Sequence, residues 1–296
     1  MKKLSIMLVM LLAFGLDCAF GQRDPAADVI YGGLLRAVMD STDAARRNNR
    51  GLEYGEKGDY DRAITEFTEA IKLNPNLAAA YYNRGFAYGK KGDYDQAIAD
   101  YTQSIKLNPN DAPAYNNRGS IYNNKGDYDR AIADFTQAIK LDPNYAGAYH
   151  NRGTLYYSKG DYDRAIADFT QIIKLNPNDA GAYNNRGMTY YGKGDSDRAI
   201  ADFTQIIKLN PNDAGAYNNR GYTYNQKGDY DRAIADLTQA IKLDPNYPNP
   251  YALRGNSYIG KKNYTQARAD FQKALQLNPN NRTAANGLEE LKRLGY

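Results

Sequence analysis

The sequence predicts an all-α protein built as an α-solenoid of stacked helix pairs, and three observations carry that prediction. Glycine returns at an unbroken spacing of 34 residues, at Gly51, Gly85, Gly119, Gly153, Gly187, Gly221 and Gly255. A fixed period of that length marks supersecondary units that cannot bury their apolar faces alone, so they stack into one continuous array with no second core. Inside each unit the apolar residues fall at intervals of three and four, the spacing of one helix face. Each unit is also punctuated twice, by Gly-Asp near its middle, which becomes Lys262-Asn263 in the last, and by proline near its end.

Taken in order, the elements begin with Lys2 and Lys3 before an apolar run from Leu4 to Leu16, then the small residues of Ala19-Phe20-Gly21. Residues 1–21 read as a signal peptide with the cut after Gly21. The run is short for a membrane span. Two alternatives place the chain at a membrane: an uncleaved anchor, or a lipid on Cys18, for which Gly15-Leu16-Asp17 is a poor lead-in. A mature chain without Cys18, its only cysteine, has no disulfides in an oxidising compartment and must rely on packing and capping. Residues 22–43, with Asp24-Pro25 and Gly32-Gly33, are expected to form a linker or short capping helix. The units then run 44–77, 78–111, 112–145, 146–179, 180–213, 214–247 and 248–281.

In the unit 146–179, Tyr149, Gly153 and Tyr156 share one helix face and Ala165, Phe169 and Ile172 another. Between them, Lys159-Gly160-Asp161 supplies a cation in the last turn, a left-handed glycine just past the end, and an Asp cap for the next helix. Each cap contributes about 1 kcal/mol. The second helix stops at Asn176-Pro177, because proline disfavours helix in its predecessor and lacks the amide proton. Residues 282–296, with Leu288, Leu291 and Leu294 three apart, are expected to form an amphipathic capping helix over the open end.

The aromatic, Gly, Tyr, Ala, Phe, Ala and Pro at Tyr115, Gly119, Tyr122, Ala131, Phe135, Ala138 and Pro143 resemble the tetratricopeptide repeat, and the resemblance covers residues 44–281. It implies antiparallel helix pairs in a right-handed superhelix whose first helices line a concave groove. Departures fall mainly at the ends: Arg47 takes the leading aromatic place in the first unit, Lys262-Asn263 replaces Gly-Asp in the last, and Ser196 replaces a recurring Tyr.

Arginine precedes the period-marking glycine in every unit, at Arg50, Arg84, Arg118, Arg152, Arg186, Arg220 and Arg254, and an acid follows sixteen residues later, at Glu66, Asp100, Asp134, Asp168, Asp202, Asp236 and Asp270. Stacked arginines alone would make a basic ladder for anionic ligands. Both residues, however, sit on the seam between two antiparallel helices at nearly equal height, so the expectation is a set of structural Arg–carboxylate pairs. Asparagine recurs just before the arginine, at Asn83, Asn117, Asn151, Asn185 and Asn219. An amide offers donor and acceptor together. The resemblance implies that such residues can hydrogen-bond the backbone of an extended peptide, while an equally weighted reading has them bridging neighbouring repeats.

Positions that vary between units are candidates for the binding face. One row runs Asn48, Tyr82, Asn116, His150, Asn184, Asn218, Ala252. A second holds Leu52, Phe86, Thr154, Met188 and Tyr222, and a third Asn123, Tyr157, Tyr191, Asn225 and Ile259. Together they predict a groove of amides and phenols with little charge, suited to an uncharged or mixed peptide segment. The family's clamp for a terminal carboxylate needs basic residues where this chain has Ala79, Pro113, Gly147, Gly181, Asn116 and Asn184.

Composition narrows the function classes. A mean hydropathy of −0.74 is polar for a folded chain, yet the matched apolar positions and 12% aromatics exclude disorder. Formal charge is only +4, and the signs cancel within each unit, so no track for nucleic acid emerges. The carboxylates are assigned to caps and pairs, and His150 is the only histidine. No catalytic or metal site, cofactor or small-molecule substrate is therefore expected. A non-enzymatic scaffold for another protein in a bacterial envelope is the reading, with a self-assembling array as the alternative.

Overall fold

The computed structural model describes residues 25–296; the expected signal peptide and Cys18 lie outside them. The described residues form helices α1 (Pro25–Glu56), α2 (Tyr60–Leu73), α3 (Ala78–Lys91), α4 (Tyr94–Leu107), α5 (Ala112–Asn124) and α6 (Tyr128–Leu141), followed by α7 (Ala146–Ser158), α8 (Tyr162–Leu175), α9 (Ala180–Gly192), α10 (Ser196–Leu209), α11 (Ala214–Gln226), α12 (Tyr230–Leu243), α13 (Pro248–Gly260), α14 (Tyr264–Leu277) and α15 (Arg282–Arg293). The fold class is the expected all-α solenoid of consecutive helix pairs, and no strand occurs among the described residues.

The described residues fall into two compact units that meet at Pro143 and Asn144. Each repeat touches chiefly its neighbours, so a nearly one-dimensional array separates at a repeat junction without a break in pattern. The first unit holds α1–α6 and the second α7–α15.

Turn chemistry sets the helix ends. Gly58, Gly92, Gly126, Gly160, Gly194 and Gly228 all have positive φ, between 76° and 86°, where a side chain is strained. Lys262 takes the corresponding place in the last repeat at φ 57°. The caps follow: Asp59, Asp127, Asp161, Asp195 and Asp229 each accept from the backbone N–H three residues on. Asn74, Asn108, Asn176, Asn210 and Asn278 end their helices in extended or near-extended backbone before proline.

The core of each pair is built from the second helix. In α6, Ala131, Phe135 and Ala138 are buried, and in α8 Ala165, Phe169 and Ile172. The period-marking glycine admits this layer: a Cβ at Gly119 would lie 2.9 Å from the Phe135 ring and 3.2 Å from the Ala131 carbonyl oxygen. Helix α15 closes the last pair, with Ala284 and Leu291 buried among Ala252, Ala267, Phe271 and Ala274.

One difference from the sequence reading concerns the N-terminal region. Of the expected linker or short helix over 22–43, residues 25–43 are part of one 32-residue helix, which continues without interruption into the first repeat. Gly32-Gly33 lowers helix propensity but neither removes an amide donor nor blocks the next turn, so it does not end the helix. Among the described residues no helix is long and apolar enough to cross a membrane.

Candidate functional site

The recurring arginines are held at the seam. Arg84 donates from Nε and Nη2 to both Asp100 oxygens at 2.8 Å, a bidentate geometry that fixes the guanidinium plane. Arg118–Asp134, Arg152–Asp168, Arg186–Asp202, Arg220–Asp236 and Arg254–Asp270 repeat it. The hydrogen bonds they donate to the acid hold the Arg84, Arg118, Arg186 and Arg220 guanidinium groups above the ordinary arginine range. The first repeat differs: Glu66 is shared between Arg50 and Arg47, at 2.9 and 3.0 Å.

Sequence reasoning missed the third member of each cluster. Arg84 Nη1 donates to Thr68 Oγ1 at 3.0 Å, and Thr102, Thr170, Thr204 and Thr238 receive Arg118, Arg186, Arg220 and Arg254 in the same way. Each threonine lies sixteen residues before its arginine, on the second helix of the preceding repeat. One arginine therefore joins two repeats, and the signal was present as a threonine recurring with the period. Outer-edge ion pairs were missed too: Lys91–Asp61 and Lys125–Asp95 in the first unit, Lys193–Asp163, Lys227–Asp197 and Lys261–Asp231 in the second.

The asparagine row also looks backward. Asn83 donates to Asn48 Oδ1 at 2.9 Å, Asn117 to the Tyr82 hydroxyl at 2.8 Å and Asn219 to Asn184 Oδ1 at 3.1 Å. These are bonds between neighbouring repeats; Asn151 and Asn185 hold the same register and are half-buried. The first candidate row is consequently less open than expected. Asn48, Asn116, Asn218 and Ala252 are buried, and where a bond links this position to the next first helix, stacking explains the cover.

What stays available on the first helices is aromatic and amide. Phe86 is 44% exposed, with the Lys90 ammonium 5.2 Å above its ring. Tyr157 is exposed and lies 5.8 Å from the Tyr162 ring. His150 is exposed, edge-on to Phe169 at 6.2 Å. Met188 is half-buried, and Tyr191 donates to the Tyr222 hydroxyl at 3.0 Å with the rings 5.2 Å apart. Burial, with the Tyr222 hydroxyl beside it, pushes the Tyr191 phenol up to about 12. On α7, α9, α11 and α13 the one charged side chain is the arginine already held by its acid. A concavity of about 440 Å³ opens between α13 and α15, lined by Asn256, Ile259, Thr283, Asn286, Gly287 and Glu290. Among the described residues no group of His, Cys, Asp and Glu gathers to hold a metal. Two further asparagines act as helix caps: Asn263 caps α14, and Asn281 caps α15 while its amide donates to Asn249.

Family models decide the relationship. Tetratricopeptide-repeat models match residues 78–111, 112–145, 248–281, 185–248 and 135–167, and a TPR-repeat model matches 51–92 and 153–194. The chain belongs to the tetratricopeptide-repeat family. Among solved structures it is similar to the C-terminal part of a TPR repeat-containing protein from Cytophaga hutchinsonii, at TM-score 0.71 and 22% identity over 81% of this chain and 98% of that one. A tetratricopeptide repeat protein from Parabacteroides merdae matches at TM-score 0.59 and 23% identity, over 85% and 99%. YrrB, described as a TPR protein with an unusual peptide-binding site, matches at TM-score 0.53 and 23% identity, over 64% and 97%. At these identities the likeness shows the fold. No curated protein matches the chain. Membership makes this chain a protein-interaction scaffold.

Proposed function

We propose that the chain is a non-enzymatic scaffold that holds an extended, largely uncharged segment of another protein against its first helices, after export to a bacterial envelope. The carrying observation is the division of labour among its polar groups. Arginines, acids and threonines are engaged in joining repeats, as are several asparagines, and the exposed side chains left on the first helices include Phe86, Tyr157 and His150. Aromatic and amide surfaces of this kind contact polypeptide at low entropic cost. Nucleic acid is disfavoured because the arginines are already neutralised by their acids. Export rests on the lysines and apolar run of residues 1–21.

A photocrosslinker placed at residue 86 or 157 in native cells is expected to capture a polypeptide that a crosslinker at the exposed Lys174 does not. Capture from all three positions alike, or from neither 86 nor 157, overturns the scaffold face. A mature N-terminus at Gln22 in a fractionated envelope is the expected result for export; an unprocessed cytosolic chain overturns that part alone.

A further inference from the structure

The cavity of about 440 Å³ between α13 and the capping helix α15 differs from the other first-helix surfaces of the second unit in two ways. Its polar lining is unengaged: the side chains of Asn256, Thr283, Asn286 and Glu290 make no hydrogen bond or ion pair among the described residues. It also holds a charge. The arginines of α9, α11 and α13 are bound to their own aspartates, whereas the exposed Glu290 carboxylate has no counter-charge.

Packing fixes both walls. Gly287 sets α15 directly on the core, since a Cβ there would lie 2.3 Å from the Phe271 ring, and Asn281 ties the start of α15 to Asn249 on α13. Ile259 packs on the same core cluster and gives the cavity an apolar side. Thr283, Asn286 and Glu290 follow at intervals of three and four, so they share one face of α15. Glu290 also lies in the last turn of α15, where the partial negative charge of the helix end disfavours an acid and favours an arriving cation. Of the basic residues in that turn, Lys292 stands two residues on and does not share the face of Glu290, and Arg293 makes no ion pair with it.

We infer that this cavity is a specificity pocket for one lysine or arginine side chain of a bound protein segment: the alkyl stem lies on Ile259, the cationic head meets Glu290, and the side-chain oxygens of Asn256, Thr283 and Asn286 accept its remaining N–H groups. A cation on an alkyl stem is the side-chain class that brings apolar surface for Ile259, positive charge for Glu290 and donors alone for the oxygens. An acidic side chain would meet a like charge, and an apolar one would leave the carboxylate unserved. This inference rests on the scaffold reading and adds to it the one charge that a largely uncharged segment carries where it reaches the capping helix.

The test uses the full chain and end-capped pentapeptides Ala-Ser-X-Ser-Ala, with X lysine, arginine, glutamate or norleucine, which is the lysine stem without its charge. Binding is read from the backbone amide signals of Ile259, Asn286 and Gly287 by nuclear magnetic resonance. The lysine and arginine peptides are expected to bind about two- to fivefold more tightly than the norleucine peptide, the worth of one solvent-reachable ion pair, and the glutamate peptide to bind least. Glu290→Gln is expected to abolish that preference, and with it the weakening of lysine binding by added sodium chloride, while circular dichroism stays unchanged. Glu289→Gln, the neighbouring acid on another face, is expected to preserve both. Equal binding of lysine and norleucine peptides, a preference that survives Glu290→Gln, an equal loss in Glu289→Gln, or no response to any peptide overturns the pocket. Crosslinking at residue 86 or 157 alongside any of those results shows the scaffold reading standing without it.

Discussion

The first repeat and the fifth hold the same arginine in different ways. Arg186 grips both oxygens of Asp202, adds Thr170 from the repeat before it, and is 17% exposed. Arg50 reaches one oxygen of Glu66, leaves the other to Arg47, and is 50% exposed. The residue sixteen places before Arg50 is Leu34, which offers no acceptor. Enclosure of the pair is thus a product of stacking rather than of the single hairpin, and an end repeat shows what a hairpin manages without a predecessor.

That difference is most sharply tested by removing the arginine at each place. Arg186→Leu strands a buried carboxylate and is expected to cost about 3–5 kcal/mol. Arg50→Leu, which removes a half-exposed arginine and leaves the buried Glu66 to Arg47, is expected to cost within about 1 kcal/mol. Urea unfolding with hydrogen exchange resolved along the chain reads both, and equal losses would break the comparison. Adding Asp202→Leu to Arg186→Leu is expected to recover most of the loss, since no unpaired charge then remains.

A smaller effect belongs to the last repeat, where Lys262 occupies a left-handed position that glycine holds elsewhere. Lys262→Gly is expected to stabilise the chain by about 1 kcal/mol, the steric penalty such a residue bears. Thermal unfolding that stays the same or falls would show the turn to be relaxed.

The smallest effect is the acid limb. Hydrogen bonds from Arg130, Arg164, Arg198 and Arg232 hold Asp127, Asp161, Asp195 and Asp229 below the ordinary value of 3.8. A depressed carboxylate contributes stability above its unfolded value and loses it as pH falls through the folded one. Stability is therefore expected to decline below about pH 4. Replacing those arginines by glutamine, as the second repeat has at Gln96, should shrink the decline; an unchanged acid limb would assign it elsewhere. Each of these four arginines also lies within 4.6 Å of a tyrosine ring near the end of the first helix, so the same variants remove a stacking contact.

Much of the fold was legible because its signals are local. Gly160-Asp161 and Asn176-Pro177 place helix ends through backbone conformation alone, and the sixteen-residue step from Arg84 to Asp100 follows from one antiparallel turn. What escaped depends on how one repeat lies on the next. Thr68 and Arg84 belong to different hairpins, and Asn83 meets Asn48 only after stacking, so a reading of single units could not tell a groove-facing amide from a bridging one. Asn218 escaped for a related reason: its neighbours at the same register are bonded, and only packing leaves its oxygen without a partner. The long helix α1 shows the limit of punctuation, since paired glycines weaken a helix without stopping it.

The arginine that reaches one repeat back and one helix forward has a bearing on how such a gene can change. A duplicated or deleted 34-residue block brings or takes a whole set of threonine, arginine and aspartate, and the flanking copies meet across the new junction with the same partners. Insertions of any other length would strand a guanidinium on one side and a hydroxyl on the other. Growth and contraction in whole repeats is therefore the route along which chain length can drift while every joint stays closed.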